Sequence, residues 1–264
     1  MSYEDMYVTH RYAQEVVDGL RLVCKAEFLA CKRHLDDLER QGTEEFPYVF
    51  DETRADRIFD WFEKYCYHVR GPFSGQLIQL QPFQYFDLGC IFGWVEKDTG
   101  ARRFKTAFEF RARGNVKSTE MSGVALYGMC ADAIYPPYKP ELRRFESMPE
   151  VECAAVDREQ AKRVWGDAKA MGEKSEKISD CLDIKKTLIR NKKNGRLAAT
   201  ALEGYEKQGL RCPLLGHCRR ISCTHQQRNC RCVEVRLRQA LSITHGHYLD
   251  CRQGCGKQSL QKGI

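Results

Sequence analysis

The sequence contains no run of eighteen apolar residues, which excludes a transmembrane helix. Its opening, Met1-Ser2-Tyr3-Glu4-Asp5, is acidic and lacks an apolar stretch, which excludes a secretory signal and points to a cytoplasmic protein with no membrane partner. Structural disulfides are not expected in that compartment. Internal repeats are absent. What remains is 264 residues, 42% hydrophobic and 30% charged, enough for one or two globular domains with a sizeable core.

An excess of charge is also lacking over most of the chain. Residues 1–204 balance to −1, whereas residues 205–264 hold 11 Lys+Arg against 3 Asp+Glu, so the net +7 arises in the tail. Cysteine is skewed the same way. Cys212, Cys218, Cys223, Cys230, Cys232, Cys251 and Cys255 all lie in the last 53 residues, with four of the seven histidines. The tail is therefore either a separate basic, metal-binding module or a stretch not selected as protein.

Apolar residues at helical steps (Val16, Leu20, Val23, Leu35, Leu38) predict an amphipathic helix over residues 11–40, ended by Gly42. Thr53 and Asp56 resemble a capping box that opens a helix through Ile58, Phe59 and Phe62. Gly71-Pro72 reads as a turn, and Pro82 suits the first turn of a helix running to Trp94. Phe104 to Phe110 alternates like a strand, and a polar loop leads from it into a helix from Lys117 to about Cys130. Residues 131–149, with Pro136, Pro137, Pro140 and Pro149, read as a long loop or linker. A short buried strand at Val151 to Val156 precedes a helix from Asp157 or Arg158 through Ala168. Strand, loop, helix, crossover, strand, helix is the pattern of a parallel α/β sheet. Beyond about Asn194 the periodicity fades.

The clearest local chemistry is Arg111-Ala112-Arg113-Gly114-Asn115-Val116-Lys117-Ser118-Thr119. A phosphate loop wraps backbone N–H groups around nucleotide phosphates, directs a Lys at them, and binds Mg2+ through the following Ser or Thr. Lys117 and Ser118 occupy those places. Both glycines of the G-x-x-x-x-G-K-S/T pattern are missing, replaced by Arg111 and Val116, and a β-branched residue resists the positive φ that a glycine supplies there. A basic strand-to-helix turn with a Ser near its helix start accounts for the same residues.

The order of segments resembles the large terminase subunit of tailed bacteriophages, an ATP-driven motor that packages viral DNA. The resemblance covers roughly residues 20–195. It is carried by Cys31-Lys32-Arg33-His34-Leu35-Asp36-Asp37-Leu38, Phe46-Pro47-Tyr48-Val49-Phe50-Asp51-Glu52, Leu80-Gln81-Pro82-Phe83-Gln84, Ile91-Phe92-Gly93-Trp94 and Arg102-Arg103-Phe104. The loop follows, A-R-G-N-V-K-S-T where the family commonly has A-R-K-N-G-K-S-T. The resemblance implies ATP and Mg2+ as cofactors. It implies Gln84 as the adenine contact, with Arg113, Asn115, Lys117, Ser118 and Thr119 around the phosphates and Ser118 on the metal. A surface Gln84 beside core aromatics and a solvated Arg113 are the plainer alternatives. The implied partners are double-stranded viral DNA, the small terminase subunit and the portal, in the bacterial host cytoplasm.

ATP hydrolysis also needs a strand whose terminal carboxylates hold Mg2+ and orient water. The family's apolar strand ending in D-E has no counterpart after residue 157. Cys218 to Asn229, read back into codons and shifted by one nucleotide, permits A-V-E-Y-P-A-P-T-N-N-E, close to the family's V-D-E-Y-H-A-H-P-T-N-E. In the same frame Leu202 to Gln208 permits S-K-D-T-K-N, and Cys230 to Gly254 permits A-D-V-W-R-S-G-S-G-K-R-S-Q-S-L-M-A-I-I-S-T-A-G. Three fragments in one frame and in the family's order point to a frameshift between about Gly195 and Leu202. The expectation is a truncated prophage remnant with little or no ATP hydrolysis and no nuclease domain.

The rival reading of the tail is a zinc or nucleic-acid-binding module. Its Cys and His types suit zinc, but Cys218-x4-Cys223, Cys230-x-Cys232 and Cys251-x3-Cys255 match no common pairing. The seven earlier cysteines read as small buried or partly buried residues. The expected fold is α/β: a mainly helical region over 1–100 with the adenine-side segment, an incomplete P-loop (RecA-like) nucleotide-binding sheet over 101–195, and a disordered tail over 196–264.

Overall fold

A computed structural model describes residues 2–107, 109, 111, 115–134, 144–145, 151, 153–155, 158–185, 188–192 and 201–203. Two helices open the chain where apolar spacing predicted one. α1 (Val8–Val17) stops because Gly19 takes φ +76°, its N–H donating to the Val16 carbonyl and that of Leu20 to Glu15 (3.1 and 2.9 Å). That is a Schellman closure, which an L side chain resists. α2 (Lys25–Glu39) then packs on α1 and ends three residues before Gly42.

β1 (Tyr48–Phe50) pairs antiparallel with β2 (Trp94–Glu96), Phe50 opposite Trp94. Between them, α3 (Glu52–Tyr65) is capped by Asp51, whose carboxylate accepts from the Arg54 N–H at 3.2 Å, not by the Thr53 and Asp56 pair. The Gly71-Pro72 turn is present, with the Ser74 N–H on the Gly71 carbonyl at 3.1 Å. α4 (Pro82–Gly93) begins at its proline, as predicted, behind a reciprocal box between Gln81 and Gln84.

The strand predicted at Phe104 to Phe110 does not form among the described residues there. Backbone pairing to β2 ends with Arg102 bridging Val95 and the Arg103 N–H on the Trp94 carbonyl at 3.0 Å. Phe104 instead packs under the guanidiniums of Arg33 and Arg103, at 5.1 and 4.7 Å, so its place reflects cation–π packing and not a ladder.

α5 (Lys117–Cys130) has the predicted bounds, and from Glu120 to Met129 it is buried on every side. Residues 131–149, expected to be loop, contain a short antiparallel pair, β3 (Ala133–Ile134) with β4 (Arg144–Phe145). β5 (Cys153–Ala155) and α6 (Arg158–Lys174) fall where predicted. They are followed by α7 (Glu176–Cys181) and an antiparallel pair, β6 (Leu182–Ile184) with β7 (Ile189–Asn191).

β8 (Ala201–Glu203) pairs parallel with β5, and α6 packs against both strands. This is the one parallel pair among the described residues; the strands there form four two-stranded sheets, and the incomplete P-loop sheet expected over 101–195 is not seen among them. The fold described is a mixed one, dominated by helices. Paired structure also reaches beyond residue 195, into the segment predicted to lack a fold. The remainder of that segment, with its seven cysteines, lies outside the described residues.

The main core gathers Ile58, Phe62, Leu88, Leu126, Met171, Ile178 and Ile189, from α3 to β7. A second cluster (Tyr12, Val16, Cys31, Phe86, Trp94) surrounds a buried His34. The Trp94 indole N–H donates to His34 Nδ1 at 3.0 Å, so Nε2 carries the proton and faces His10 Nδ1 at 2.9 Å. Burial holds His34 down at about 3 and His10 at about 4. Cys31, Cys66 and Cys90 are buried, as predicted for the early cysteines, but Cys24 is exposed. Among the described residues no helix is long and apolar enough to cross a membrane.

Candidate functional site

The loop from Arg111 enters α5 through Val116, which occupies the N-cap in the left-handed region at φ 49°, ψ 13°. The backbone thus takes the conformation that the phosphate-loop motif secures with glycine, although the residue is valine. Val116 supplies no side-chain cap to the first turn of α5, where the positive end of the helix dipole favours an anion. The Lys117 ammonium reaches back across the loop and donates to the Arg111 carbonyl. Asn115 and Val116 are exposed, while Lys117, Ser118 and Thr119 are half-buried. Arg113 lies outside the described residues.

The first turn of α5 is anchored from below. The Ser122 hydroxyl lies 2.6 Å from the Ser118 carbonyl and 2.8 Å from that of Val164, joining α5 to α6. Gly123 sits directly on Phe62: an added Cβ would stand 2.2 Å from its ring, so α3 and α5 meet closely only because this residue has no side chain. The Gly123 carbonyl accepts from the Trp61 indole at 3.0 Å.

Arg111, which stands in the place of the motif's first glycine, is the hub of a cluster that sequence reading missed. Its guanidinium meets Glu120 at 2.6 Å, Asp87 at 2.5 Å and Glu109 at 3.4 Å, and lies 4.7 Å from the Phe83 ring centre. Three carboxylates face one cation. Burial, opposed by Arg111, raises Asp87 to about 7; burial and the charge of Glu120 raise Glu109 to about 8. Burial works against the guanidinium's charge, but its bond to Glu120 and the surrounding carboxylates hold it more firmly protonated than usual. One signal of this cluster was legible: Glu120 is the lone acid in an otherwise small and apolar helix.

Gln84, the candidate adenine contact, is 4% exposed and sits at the start of α4. Its Oε1 accepts from the Gln81 N–H at 2.9 Å and its Nε2 donates to Glu120 Oε2 at 2.7 Å. The structure thus brings Gln84 to the loop through Glu120. Beside this segment lies an open hollow of about 390 Å³ lined by Glu63, Leu77, Gln79, Leu80 and Tyr85.

No family model and no curated protein matches the chain. Among solved structures it is similar to the HK97 bacteriophage large terminase. The TM-score is 0.43 with 20% sequence identity, over 59% of this chain and 28% of that one. The chain therefore spans little more than a quarter of that terminase's length.

The arrangement fits a phosphate group: a left-handed turn, a helix start that Val116 does not cap with its side chain, and an ammonium reaching across the loop. It offers a metal less. Among the described residues no three His, Cys, Asp or Glu side chains gather as ligands, so Mg2+ would be held by Ser118 only together with phosphate oxygens.

Proposed function

We propose that this chain is a terminase large subunit-like protein whose loop 111–119 binds the phosphates of ATP. The reading rests on the segments named in the sequence analysis, and the observation that carries it is the left-handed conformation of Val116 at the start of α5. Lys117 and the N–H groups of Lys117, Ser118 and Thr119 meet the phosphates, together with Asn115 and Arg113. Ser118 meets Mg2+, and Gln84 meets the adenine. When bound, MgATP supplies the phosphoryl group and its charge; the chain's own residues position and neutralise it.

Hydrolysis is slow or absent in this reading. The family's apolar strand ending in an Asp-Glu pair has no counterpart in the sequence after residue 157. The activity of the wider family, ATP-driven packaging of double-stranded viral DNA with a small subunit and a portal, is carried to this chain as the setting in which it arose.

Equilibrium binding of fluorescent ATP with Mg2+ tests the reading. The wild type binds, and Lys117→Ala weakens binding at least about tenfold. Equal binding by the variant overturns the phosphate-loop assignment. Lys117-dependent turnover overturns the inactive-remnant part alone.

A further inference from the structure

Glu120 makes a contact that the phosphate-loop reading does not use. One of its oxygens, Oε2, accepts from Gln84 Nε2 at 2.7 Å and from an Arg111 guanidinium nitrogen at 2.6 Å. A guanidinium only donates, so that oxygen is an acceptor. At the other end of the amide, Gln84 Oε1 faces the Gln81 backbone N–H at 2.9 Å, which only donates. A flipped amide would set oxygen against oxygen and N–H against N–H at a residue that is 4% exposed. Two buried hydrogen bonds would be lost.

We propose that Glu120 is a positioning residue that fixes the polarity of the Gln84 amide and so selects adenine over guanine. The inference rests on the reading of the loop as an ATP site with Gln84 on its base side. The locked amide keeps one N–H and one oxygen lone pair for a ligand. Adenine presents an acceptor, N7, beside a donor, the 6-amino group, and an amide of fixed polarity satisfies both. Guanine presents two acceptors on that edge, N7 and O6, so the Gln84 oxygen would face another oxygen. Arg111 closes the arrangement: by holding Glu120 it ties the base-side residue of α4 to the phosphate loop.

The test compares ATP, GTP and inorganic tripolyphosphate binding to the wild type, Glu120→Gln and Glu120→Asp. Glu120→Gln lets an amide face Gln84 with either end. Glu120→Asp keeps the charge beside Arg111 and withdraws the carboxylate by one methylene, so one variant remains informative if the other fails to fold. The wild type favours ATP over GTP by about ten- to a hundredfold. Both variants bring that ratio close to one, any loss of phosphate affinity through Arg111 being common to ATP, GTP and tripolyphosphate. A purely structural Glu120 would move all three ligands together. An unchanged ATP-to-GTP ratio in the folded variants overturns the inference. A wild type that binds tripolyphosphate without preferring ATP also overturns it and leaves the phosphate loop standing. A wild type that binds no tripolyphosphate overturns both.

Discussion

Arg111 and Glu120 close the turn into α5 as a two-pronged pair, Nη1 to Oε2 at 2.6 Å and Nη2 to Oε1 at 3.3 Å. The two side chains are 11% and 0% exposed, so the pair is buried and its partners depend on each other. Arg111→Met leaves Asp87, Glu109 and Glu120 together without their cation. The expected cost is about 3–5 kcal/mol, read as a lower urea midpoint at pH 7. Lowering the pH to 5 should restore part of the loss, because protonation relieves the uncompensated charge.

Stability should fall as pH rises from about 6.5 to 8. Asp87 and Glu109 titrate near 7 and 8 in the folded protein, so the folded state holds protons that the unfolded chain has already released. A group with a raised folded-state pKa contributes stability that is fully present below its unfolded value and is lost as pH rises through its folded value. Below about 6.5 two histidines oppose the trend. His10 and His34 sit near 4 and 3 when folded, so their contribution is present above the unfolded value and lost as pH falls. Thermal melts across pH 4 to 8.5 should therefore show a broad plateau up to about 6.5, where the two pairs of groups offset each other, and a decline above it. Asp87→Asn should make the alkaline decline shallower and leave the histidines' acid-side decline less opposed.

His34→Phe keeps a ring in the second core but leaves the Trp94 indole N–H without its acceptor. The expected loss is about 1–3 kcal/mol. The variant should also lose part of the acid-side decline, which a Phe cannot titrate. Chemical denaturation at pH 7 and pH 5 measures both effects.

Gly123→Ala tests how the loop is supported. A Cβ there would stand 2.2 Å from the Phe62 ring. Overpacking of this kind costs about 1–3 kcal/mol. Because α5 carries the loop, ATP affinity should fall with stability. Phe62→Leu should recover part of both in the double variant.

Val116→Gly removes a branched side chain from the exposed mouth of the loop while keeping a backbone that already has φ 49°. Relief of left-handed strain and the added freedom of glycine oppose each other, so stability should move by less than about 1 kcal/mol. ATP affinity should rise by roughly ten- to a hundredfold as the backbone becomes able to approach the phosphates. Calorimetric titration of the two proteins measures it.

The helices that the sequence marked well are those with a strong start. Pro82 opens α4 and the Lys117-Ser118-Thr119 run opens α5 because these residues suit a first turn whatever the rest of the chain does. Gly19 was missed because the apolar steps on either side of it stay in phase, so spacing alone reads through the break. Among the described residues of Phe104 to Phe110 no strand is seen, for a related reason: alternation records which side chains are buried, and at Phe104 cations of α2 and of the preceding residue provide the burial. In the site, Lys117 and Ser118 were legible as a motif. Of the Asp87, Glu109, Arg111 and Glu120 cluster only the lone acid Glu120 stood out, since Asp87 joins Arg111 from α4, 24 residues away. No local pattern records such a contact.

The most direct test of the phosphate loop is backbone hydrogen exchange with and without MgATP. Exchange should slow at the N–H groups of residues 115–119, and in Lys117→Ala the nucleotide should leave those rates unchanged. Unaltered exchange over 115–119 in the wild type at saturating nucleotide, or protection confined to another part of the chain, would contradict the account.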